Sequence, residues 1–332
     1  MSEKIVVSGM RPTGHLHLGN YFGAIRGFLK LQEAYPCYFF IADYHSLTTH
    51  PNPADLAGSV RQILIEYLAA GLDPEKAVIY LQSDLPETAE LYLLLGMNAY
   101  KGELERVVTF KEKARQQPDN INAGLLTYPV LMAADILIQR ADYVPVGKDQ
   151  EQHLEMTRNF ANRFNRIYQR DYLPEPQAFS MDRELVKIPG LDGSGKMGKS
   201  EGEGNALFLT EEPGKLKKKI MRATTDSGPT EPNQPMAESV ANLFKILYYT
   251  SEEAVYQDFL ERYNNCTIRY GDLKKKMVED ITAFLAPIRE RAQALDADQA
   301  YLDKVMREGA EKARARGAET VREVRKMIGF RR

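Results

Sequence analysis

The stretch IVVSGMRPTGHLHLGN at residues 5–20 decides the fold class of this chain. Its β-branched beginning, residues 5–8, predicts a short strand that Gly9 closes. The small and polar residues that follow predict a turn, and a helix is predicted to begin near residue 18 and to run to residue 28. A strand, a glycine-containing turn and a helix in this order predict the first unit of an α/β protein.

Further along the chain, apolar runs at residues 37–41 and 77–81 predict two more strands. Between them, apolar side chains at helical spacing predict a helix over residues 60–71. This alternation predicts an α/β fold with a parallel sheet that helices cover on both faces. Ligands of such sheets bind beyond the carboxyl ends of the strands. The residues that follow Ser8 and Ile41 are therefore the first candidates for a site.

The second half of the chain has a different character. Five glycines fall within residues 193–204, which predicts a mobile loop. Beyond residue 213 the pattern is mostly that of charged helices with apolar stripes, such as the one at residues 243–247. A further helix is predicted over residues 273–291, with a break near Pro287.

Composition limits the possible classes of protein. The 332 residues carry 44 basic and 46 acidic side chains, for a formal charge of −2, which excludes a strongly basic nucleic-acid-binding protein. Two cysteines, Cys37 and Cys266, cannot form a disulfide framework or a four-thiolate metal site, and they indicate a reducing compartment. No signal-like segment opens the sequence, and no stretch approaches the roughly 18 apolar residues of a membrane span. We therefore expect a cytoplasmic protein.

The turn at residues 9–20 is the first candidate site. Its small residues allow close approach of a ligand, and the free N–H groups and dipole of the following helix favour a phosphate. His17 and Asn20 lie three residues apart, so in a first helical turn they would present two hydrogen-bond donors to the same side. Two alternatives remain open: the histidines cap the helix, or His15 and His17 bind a metal, although no carboxylate or thiolate joins them at ligand spacing.

GSGKMGKS at residues 193–200 fits the Walker A pattern, but its context does not. A phosphate-binding loop of that type follows a strand and opens a helix. Here Pro189 and Gly190 precede the stretch, and residues 201–205 are a poor beginning for a helix. We interpret the stretch as a glycine-rich loop whose two lysines, Lys196 and Lys199, clamp phosphates after a movement.

Two more stretches carry candidate residues. Tyr128, Met132 and Asp135 have the spacing of one helix face. Either this face packs in the core with a surface aspartate, or it lines a pocket that contains a single acceptor. A buried carboxylate is costly without a donor, which favours a ligand N–H at this point. Residues 144–153 then predict a strand end, a glycine turn and polar groups at the beginning of a helix.

Together these motifs resemble a known family. HLGN at residues 17–20 looks like the HIGH signature of class I aminoacyl-tRNA synthetases, and KMGKS at residues 196–200 resembles their KMSKS loop. LTYPVLMAADIL at residues 126–137, with GKDQ at residues 147–150, is similar to the tryptophanyl-tRNA synthetases of bacterial type. GELER at 102–106, FKEK at 110–113 and TDS at 225–227 match the same family, so the resemblance extends over the whole chain.

The family resemblance implies an architecture and a reaction. The architecture is a Rossmann-like catalytic domain over residues 1–205, followed by a helical anticodon-binding domain over residues 206–332, in a homodimer. The basic residues of the tail then either contact tRNA or pack back on the catalytic domain. In the reaction, L-tryptophan is activated with ATP to tryptophanyl-adenylate and pyrophosphate, and the acyl group passes to the 3′-terminal adenosine of tRNA(Trp). Mg²⁺ is expected to be held mainly through the ATP phosphates, with no metal site of the chain's own and no iron–sulfur cluster.

The resemblance also implies the roles of individual residues. The catalytic residues would be His17, Asn20, Lys113, Lys196 and Lys199. ATP would bind to Arg11, Pro12, Thr13, Gly19, Asn20, Gly147, Lys148, Asp149, Ile188, Lys196, Met197, Gly198, Lys199 and Ser200. Gly198 stands where KMSKS has a serine, so a hydroxyl role at that position is in doubt, and Asn20 stands where many class I enzymes have the second histidine.

For the amino acid, Asp135 would accept the indole N–H, which tyrosine lacks at that place. The other expected tryptophan contacts are Tyr128, Met132, Gln150, His45, Gly9, Val144 and Val146. The alternatives are a tyrosyl-tRNA synthetase, which has the same fold with a different pocket, and an inactive paralogue that binds tRNA without catalysis.

Overall fold

A computed structural model describes residues 4–147, 150–179, 186–193, 195, 197–198 and 204–330. Within them, five parallel strands form one sheet in the order β3-β2-β1-β4-β5. The strands are β1 (Val6–Met10), β2 (Cys37–Ile41), β3 (Ala77–Leu81), β4 (Tyr143–Val144) and β5 (Gln177–Ala178). The α/β fold with a parallel sheet is confirmed, and β2 and β3 have the predicted bounds.

Strand β1 is longer than predicted, because Gly9 continues it instead of closing it. Gly9 pairs with Phe40 of β2 in the parallel register. A Cβ atom at Gly9 would lie 2.3 Å from the Phe40 ring, so only glycine fits there without displacing the ring. The strand therefore runs on to Met10, whose partner is Ile41.

Both faces of the sheet are buried, as the apolar runs predict. Val6 and Phe39 belong to one apolar cluster, whereas Val7 and Phe40 belong to another. Because successive side chains of a strand point to opposite faces, the two clusters lie on opposite sides of the sheet. The burial of both faces explains why these strands are continuously apolar instead of alternating.

Helices of the first half connect the strands. They are α1 (Leu18–Asn20), α2 (Arg26–Leu31), α3 (Asp43–Ser46), α4 (Pro53–Ala70), α5 (Pro86–Gly96), α6 (Lys101–Leu104), α7 (Val108–Gln116), α8 (Ala123–Ile138) and α9 (Glu151–Ile167). A π-helical turn, Tyr21–Ile25, joins α1 to α2, so the predicted helix at residues 18–28 is one helical segment that extends to Leu31. The helix predicted at residues 60–71 begins earlier, at Pro53, where Asn52 caps it.

The second half is helical, with α10 (Pro213–Arg222), α11 (Glu238–Thr250), α12 (Glu253–Asn264), α13 (Tyr270–Asp296) and α14 (Gln299–Ile328). The predicted break near Pro287 is wrong, since α13 continues through it. Proline removes the hydrogen bond to the carbonyl of Ala283. Ala283 and Pro287 are both exposed, so water can solvate that carbonyl while the opposite face of the helix stays packed.

The last helix, α14, packs on β3 and α5. The approach is closest at Gly309, where a Cβ atom would lie 1.7 Å from the carbonyl oxygen of Ile79. Gln139 after α8 donates to the carbonyl of Ala313, and Arg314 pairs with Glu87 of α5. The C-terminal helix is thus in contact with the sheet. Among the described helices, none is long and apolar enough to cross a bilayer.

Candidate active site

The candidate site lies at the carboxyl ends of β1, β2 and β3. The register places Met10, Ile41 and Leu81 side by side at this edge of the sheet. The residues that follow each strand are polar: Arg11 after β1, Asp43 and His45 after β2, and Gln82 after β3. Helix α8, which carries Asp135, is joined to this edge by hydrogen bonds.

Asp135 is buried, with 3% of its surface exposed, so the interpretation as a surface aspartate is wrong. Its Oδ1 accepts a hydrogen bond of 2.7 Å from Nε2 of Gln82, and its Oδ2 lies 2.8 Å from Nε2 of His45. Burial raises the pKa of the Asp135 carboxyl, and the bonds from His45 and Gln82 oppose that rise. Fixed donors therefore hold both carboxylate oxygens, which leaves further lone pairs as acceptors.

Tyr128 lies on the same face of α8 and belongs to a second buried network. Its hydroxyl lies 2.6 Å from Nε2 of His153 and is hydrogen-bonded to Thr109 of α7. Nδ1 of His153 lies 3.0 Å from Oε1 of Gln150. Burial raises the pKa of Tyr128, so its hydroxyl stays protonated. The structure thus brings together Tyr128 and Gln150, which were predicted to bind the amino acid.

Lys113 and Arg11 form a cationic pair beside Tyr128. Nζ of Lys113 lies over the Tyr128 ring, 4.4 Å from its centroid. Burial lowers the pKa of Lys113, and the nearby charge of Arg11 lowers it further. Burial also lowers the pKa of Arg11, whose buried Nε has no hydrogen-bond partner among the residues that the structure describes. In the described part of the chain neither side chain forms an ion pair, so this positive charge is suited to an anion.

His17 and Asn20 are brought together as a helix cap. Nδ1 of His17 accepts from the backbone N–H of Asn20, and Oδ1 of Asn20 accepts from the N–H of His17. The alternative that the histidine caps the helix is therefore confirmed. A ring nitrogen that accepts carries no proton, so the cap directs the proton of the neutral ring to Nε2. Capping through Nδ1 is compatible with a donor role for the other nitrogen.

Met197 of the glycine-rich loop lies beside this turn. A Cβ atom at Gly19 would lie 3.6 Å from Cβ of Met197, and Met197 donates its N–H to the carbonyl of Ile188 at 2.9 Å. Beyond the loop, Leu18 donates to Leu207, and a β-bridge joins His17 to Phe208. The two signature motifs therefore meet in space although about 180 residues separate them.

The remaining predicted residues fall into two groups. The first group lies within the described residues and differs in exposure. Its buried members are Pro12, Val144 and Ile188, its partly buried members are Gly147, Met132, Val146 and Gly198, and its exposed members are Thr13 and Gly9. Lys148, Asp149, Lys196, Lys199 and Ser200 lie outside the described residues. The predicted mobile loop at residues 193–204 lies largely outside them too, so its mobility stays a prediction.

Comparison with known proteins decides the family. The model of the family described as tRNA synthetases class I (W and Y) matches residues 2–286. The tryptophan–tRNA ligase of Porphyromonas gingivalis is 63% identical over 326 residues, which cover 98% of this chain and 99% of the relative. The chain belongs to the tryptophanyl-tRNA synthetases. A crystal structure of the Campylobacter jejuni tryptophanyl-tRNA synthetase complexed with ADP and tryptophan aligns with a TM-score of 0.86 at 34% identity, over 98% of this chain and 100% of that one.

Membership of the tryptophanyl-tRNA synthetases argues against the two alternatives, a tyrosyl-tRNA synthetase and an inactive paralogue. A tyrosyl-tRNA synthetase from Aeropyrum pernix aligns with a TM-score of 0.67 but is 19% identical, which shows a shared fold alone. Three curated relatives that are 63%, 41% and 40% identical over nearly the whole chain are tryptophan–tRNA ligases. The tyrosyl and inactive alternatives are therefore not supported, and the Rossmann-like fold of the class is confirmed.

Four residues of the site were not predicted: Gln82, Thr109, His153 and Glu66. Gln82 follows β3 directly, so the rule that ligands bind beyond strand ends would have indicated it. Thr109 lies one helical turn before Lys113, and His153 ends the polar stretch after β4. Glu66 of α4 is fully buried and accepts from the backbone N–H of Leu16 in the turn after β1. It carries no local signal in the sequence, since it lies within an otherwise apolar run of that helix.

Proposed function

We propose that the chain activates L-tryptophan with ATP and transfers the tryptophanyl group to the 3′-terminal adenosine of tRNA(Trp). The chain is a tryptophan–tRNA ligase. The observation that carries the proposal is one face of α8 that presents both the buried carboxylate of Asp135 and Tyr128, whose ring lies under the ammonium group of Lys113. One side of the site offers an acceptor for the indole N–H, and the other offers positive charge for phosphates.

Asp135 would provide the selectivity for tryptophan. His45 and Gln82 hold the carboxylate in place, so an indole N–H meets an acceptor that is already oriented. Tyrosine has no N–H at that position and would leave the carboxylate without this donor. A site built to hydrogen-bond one substrate rejects an analogue that lacks the group, because buried polar atoms remain unpaired.

The other contacts with tryptophan are proposed from the surroundings of Asp135. Met132, Val144 and Val146 belong to the apolar cluster on the α8 side of the sheet, which suits them to pack on the indole ring. Gly9 would leave room for the ring. Tyr128 and Gln150 would hold the α-ammonium group, with His45 nearby.

Adenylation would proceed without a general base, since the tryptophan carboxylate is already ionised. One of its oxygens attacks the α-phosphorus in line, and the bond to the pyrophosphate oxygen breaks. Catalysis then consists of positioning the reactants and stabilising charge. Arg11 and Lys113 would supply positive charge from the described part of the site, and Lys196 and Lys199 from the glycine-rich loop.

ATP would lie along the turn after β1. Arg11, Pro12 and Thr13 precede the helix at which phosphates are expected, and His17, Gly19 and Asn20 begin that helix. Gly147, Lys148 and Asp149 would contact the ribose or adenine, with Ile188 beside the base, while Met197, Gly198 and Ser200 complete the loop. Mg²⁺ would be held mainly by the ATP phosphates.

The quaternary and domain organisation is proposed from the surface. Leu93, Met97, Tyr100 and Val108 are more than half exposed along the segment from α5 to α7, which supports a homodimer formed through this surface. Residues 1–205 would form the catalytic domain and residues 206–332 the anticodon-binding domain. Its last helix, α14, packs back on β3 and α5, and Lys312 is an exposed basic side chain of that helix that would be available to tRNA.

The test is ATP–pyrophosphate exchange with tryptophan, with tyrosine and without amino acid. Exchange that depends on tryptophan alone is expected. Exchange with tyrosine would transfer the assignment to the sister enzyme, and no exchange by folded, tRNA-binding protein would indicate an inactive paralogue. ATP hydrolysis without an amino acid would instead favour the Walker-type interpretation of residues 193–200.

A further inference from the structure

Helix α10 carries an exposed cationic face that adenylation, as proposed above, does not use. Five of the ten residues of this helix are lysine or arginine, and none is acidic. Leu216 and Ile220 are fully buried on the side of α10 that packs against the rest of the chain, where the helix contacts α13. The cationic face consists of four exposed side chains: Lys215, Lys217, Lys218 and Arg222.

The charge of the cationic face is not compensated within the described ranges. None of its four side chains forms an ion pair or a hydrogen bond there, whereas Lys219, the remaining cation of α10, pairs with Glu211. The C-terminal helix α14 is also rich in basic residues, but there Arg314 pairs with Glu87 of α5. The positive charge of the cationic face therefore remains available to an anion outside the described chain.

Helix stability does not account for the cationic face. Lys215 lies in the first turn of α10, where the helix dipole disfavours positive charge. Lys218 lies three residues after Lys215 and four before Arg222, so like charges repel one another along the same side of the helix. Of the cationic face only Arg222, in the last turn, is favoured by the dipole. The arrangement thus costs helix stability, which favours a role in binding.

Hydrogen bonds connect both ends of α10 to the candidate active site. Before the helix, Leu209 donates its N–H to the carbonyl of Leu16 in the turn after β1, at 2.9 Å. After the helix, Thr224 donates to the carbonyl of Leu191, just before the glycine-rich loop, at 3.0 Å. The cationic face is therefore carried by a helix that is held beside the site that the 3′-terminal adenosine of tRNA has to reach.

We propose that the cationic face of α10 binds the phosphate backbone of tRNA at its acceptor end and holds this end beside the active site during acyl transfer. Lysine and arginine side chains on an open helix surface neutralise phosphates without reading bases. This inference rests on the proposed function. It deepens that function by assigning a surface to the tRNA at the junction of the two proposed domains.

The test measures the affinity for tRNA(Trp) at several salt concentrations, in the full chain and in two variants with the same change in charge. The first variant neutralises one side of the cationic face by combining Lys215→Gln, Lys218→Gln and Arg222→Gln. The matched control replaces three exposed lysines that already pair with carboxylates, by combining Lys4→Gln, Lys76→Gln and Lys304→Gln.

We expect the first variant to bind tRNA(Trp) about 10-fold or more weakly, and the control to bind it like the unmodified chain. The slope of log Kd against log salt concentration should become shallower by about 2 to 3, because three phosphate contacts no longer release counterions. An RNA hairpin that contains only the acceptor stem and the 3′ end should lose affinity too. Tryptophan-dependent ATP–pyrophosphate exchange, which does not involve tRNA, should be unchanged.

The charge-conserving combination of Lys215→Arg, Lys218→Arg and Arg222→Lys sharpens the test. It should bind tRNA(Trp) like the unmodified chain, since phosphates are recognised by charge at this surface. A loss of affinity equal to that of the neutral variant would contradict recognition by charge and would overturn the proposal.

The other outcomes are equally decisive. Unchanged affinity and salt dependence in the neutral variant, or an equal loss in the matched control, would overturn the proposal. So would a loss confined to the complete tRNA with the hairpin unaffected, because the contact would then lie away from the acceptor end. Loss of exchange in the neutral variant would show that the cationic face supports adenylation or the fold instead. An unmodified chain without tryptophan-dependent exchange would overturn the proposed function itself, whatever its affinity for tRNA.

Discussion

The two sides of the site differ in how their polar groups are satisfied. On the amino-acid side, Asp135 is bonded to His45 and Gln82, and Tyr128 is bonded to His153. Apart from His45, which is partly buried, these groups are buried, and they are hydrogen-bonded to one another before any ligand arrives. The amino-acid side is therefore preorganised. Its selectivity arises because the acceptors are fixed in place and stay unpaired when a substrate lacks the matching donor.

On the phosphate side, the charges are not compensated by any residue in the described ranges. The buried Nε of Arg11 has no partner, and Lys113 lies over an aromatic ring without forming an ion pair in the described part of the chain. A buried cation without a counter-charge is costly, and an anionic ligand relieves that cost. The difference implies that substitutions on the amino-acid side change which substrate is used, whereas substitutions on the phosphate side change how fast it reacts.

The largest effect is expected from Lys199→Ala in the glycine-rich loop. Removing one charge that stabilises the departing pyrophosphate should lower ATP–pyrophosphate exchange about 10²- to 10³-fold. Tryptophan binding, measured without ATP, should be unchanged, because it depends on the other side of the site. Lys215→Ala, at an exposed position of α10, is the control and should leave exchange intact. Unchanged turnover of Lys199→Ala would contradict the role of the loop.

Asp135→Asn tests the amino-acid side. Asparagine replaces one carboxylate oxygen with a donor, which then faces a donor of His45 or Gln82 and leaves buried groups unpaired. We expect kcat/KM for tryptophan to fall about 10- to 100-fold, with a smaller fall for tyrosine. The exposed Asp55→Asn of α4 serves as the control. A variant that retained its preference for tryptophan over tyrosine would show that selectivity arises elsewhere.

Local patterns were sufficient for much of the fold but not for the site. The strands at residues 37–41 and 77–81 could be predicted because burial on both faces makes them continuously apolar. The predicted helix break at Pro287 was wrong, since local propensity does not show that this proline lies on the solvent side of α13. Likewise, Gly9 looked like the end of β1 because its neighbour Phe40 comes from another strand.

The burial of Asp135 could not be decided from its own helix. Its partners come from far along the chain, Gln82 at a separation of 53 residues and His45 at a separation of 90. The spacing of Tyr128, Met132 and Asp135 correctly predicted a shared helix face, but whether that face holds a carboxylate in the core depends on donors from two strand ends. On the phosphate side, the helix start after β1 and the two lysines of the glycine-rich loop indicated a phosphate from the residues themselves, whereas the roles of Arg11 and Lys113 followed from family resemblance.

Glu66→Gln tests how the phosphate side is held in place. The Glu66 carboxylate is fully buried and accepts from the N–H of Leu16 at 2.6 Å, from Gln62 at 2.9 Å and from Thr210 at 3.0 Å. It thus joins the turn after β1 to the chain beyond the glycine-rich loop.

Glutamine in place of Glu66 provides one acceptor oxygen instead of two, which should cost about 1–3 kcal/mol of stability and raise KM for ATP several-fold. Thermal unfolding and exchange kinetics measure the two effects. KM for tryptophan should change little, because Glu66 touches none of the proposed tryptophan contacts. The control is Glu33→Gln, whose exposed pair with Lys76 contributes little to stability. Equal changes in both KM values would show that the two sides are not independent.

The smallest effect is the pH dependence of ATP binding. Burial and the charge of Arg11 lower the pKa of Lys113, so its ammonium form loses its proton at a lower pH than that of an ordinary lysine. The attraction for phosphate is complete below that pKa and declines as the pH rises through it. The dissociation constant for ATP should therefore increase on the alkaline side. Lys113→Arg keeps its charge at all accessible pH values and should remove the rise. If the rise persisted in Lys113→Arg, the titrating group would be a different one.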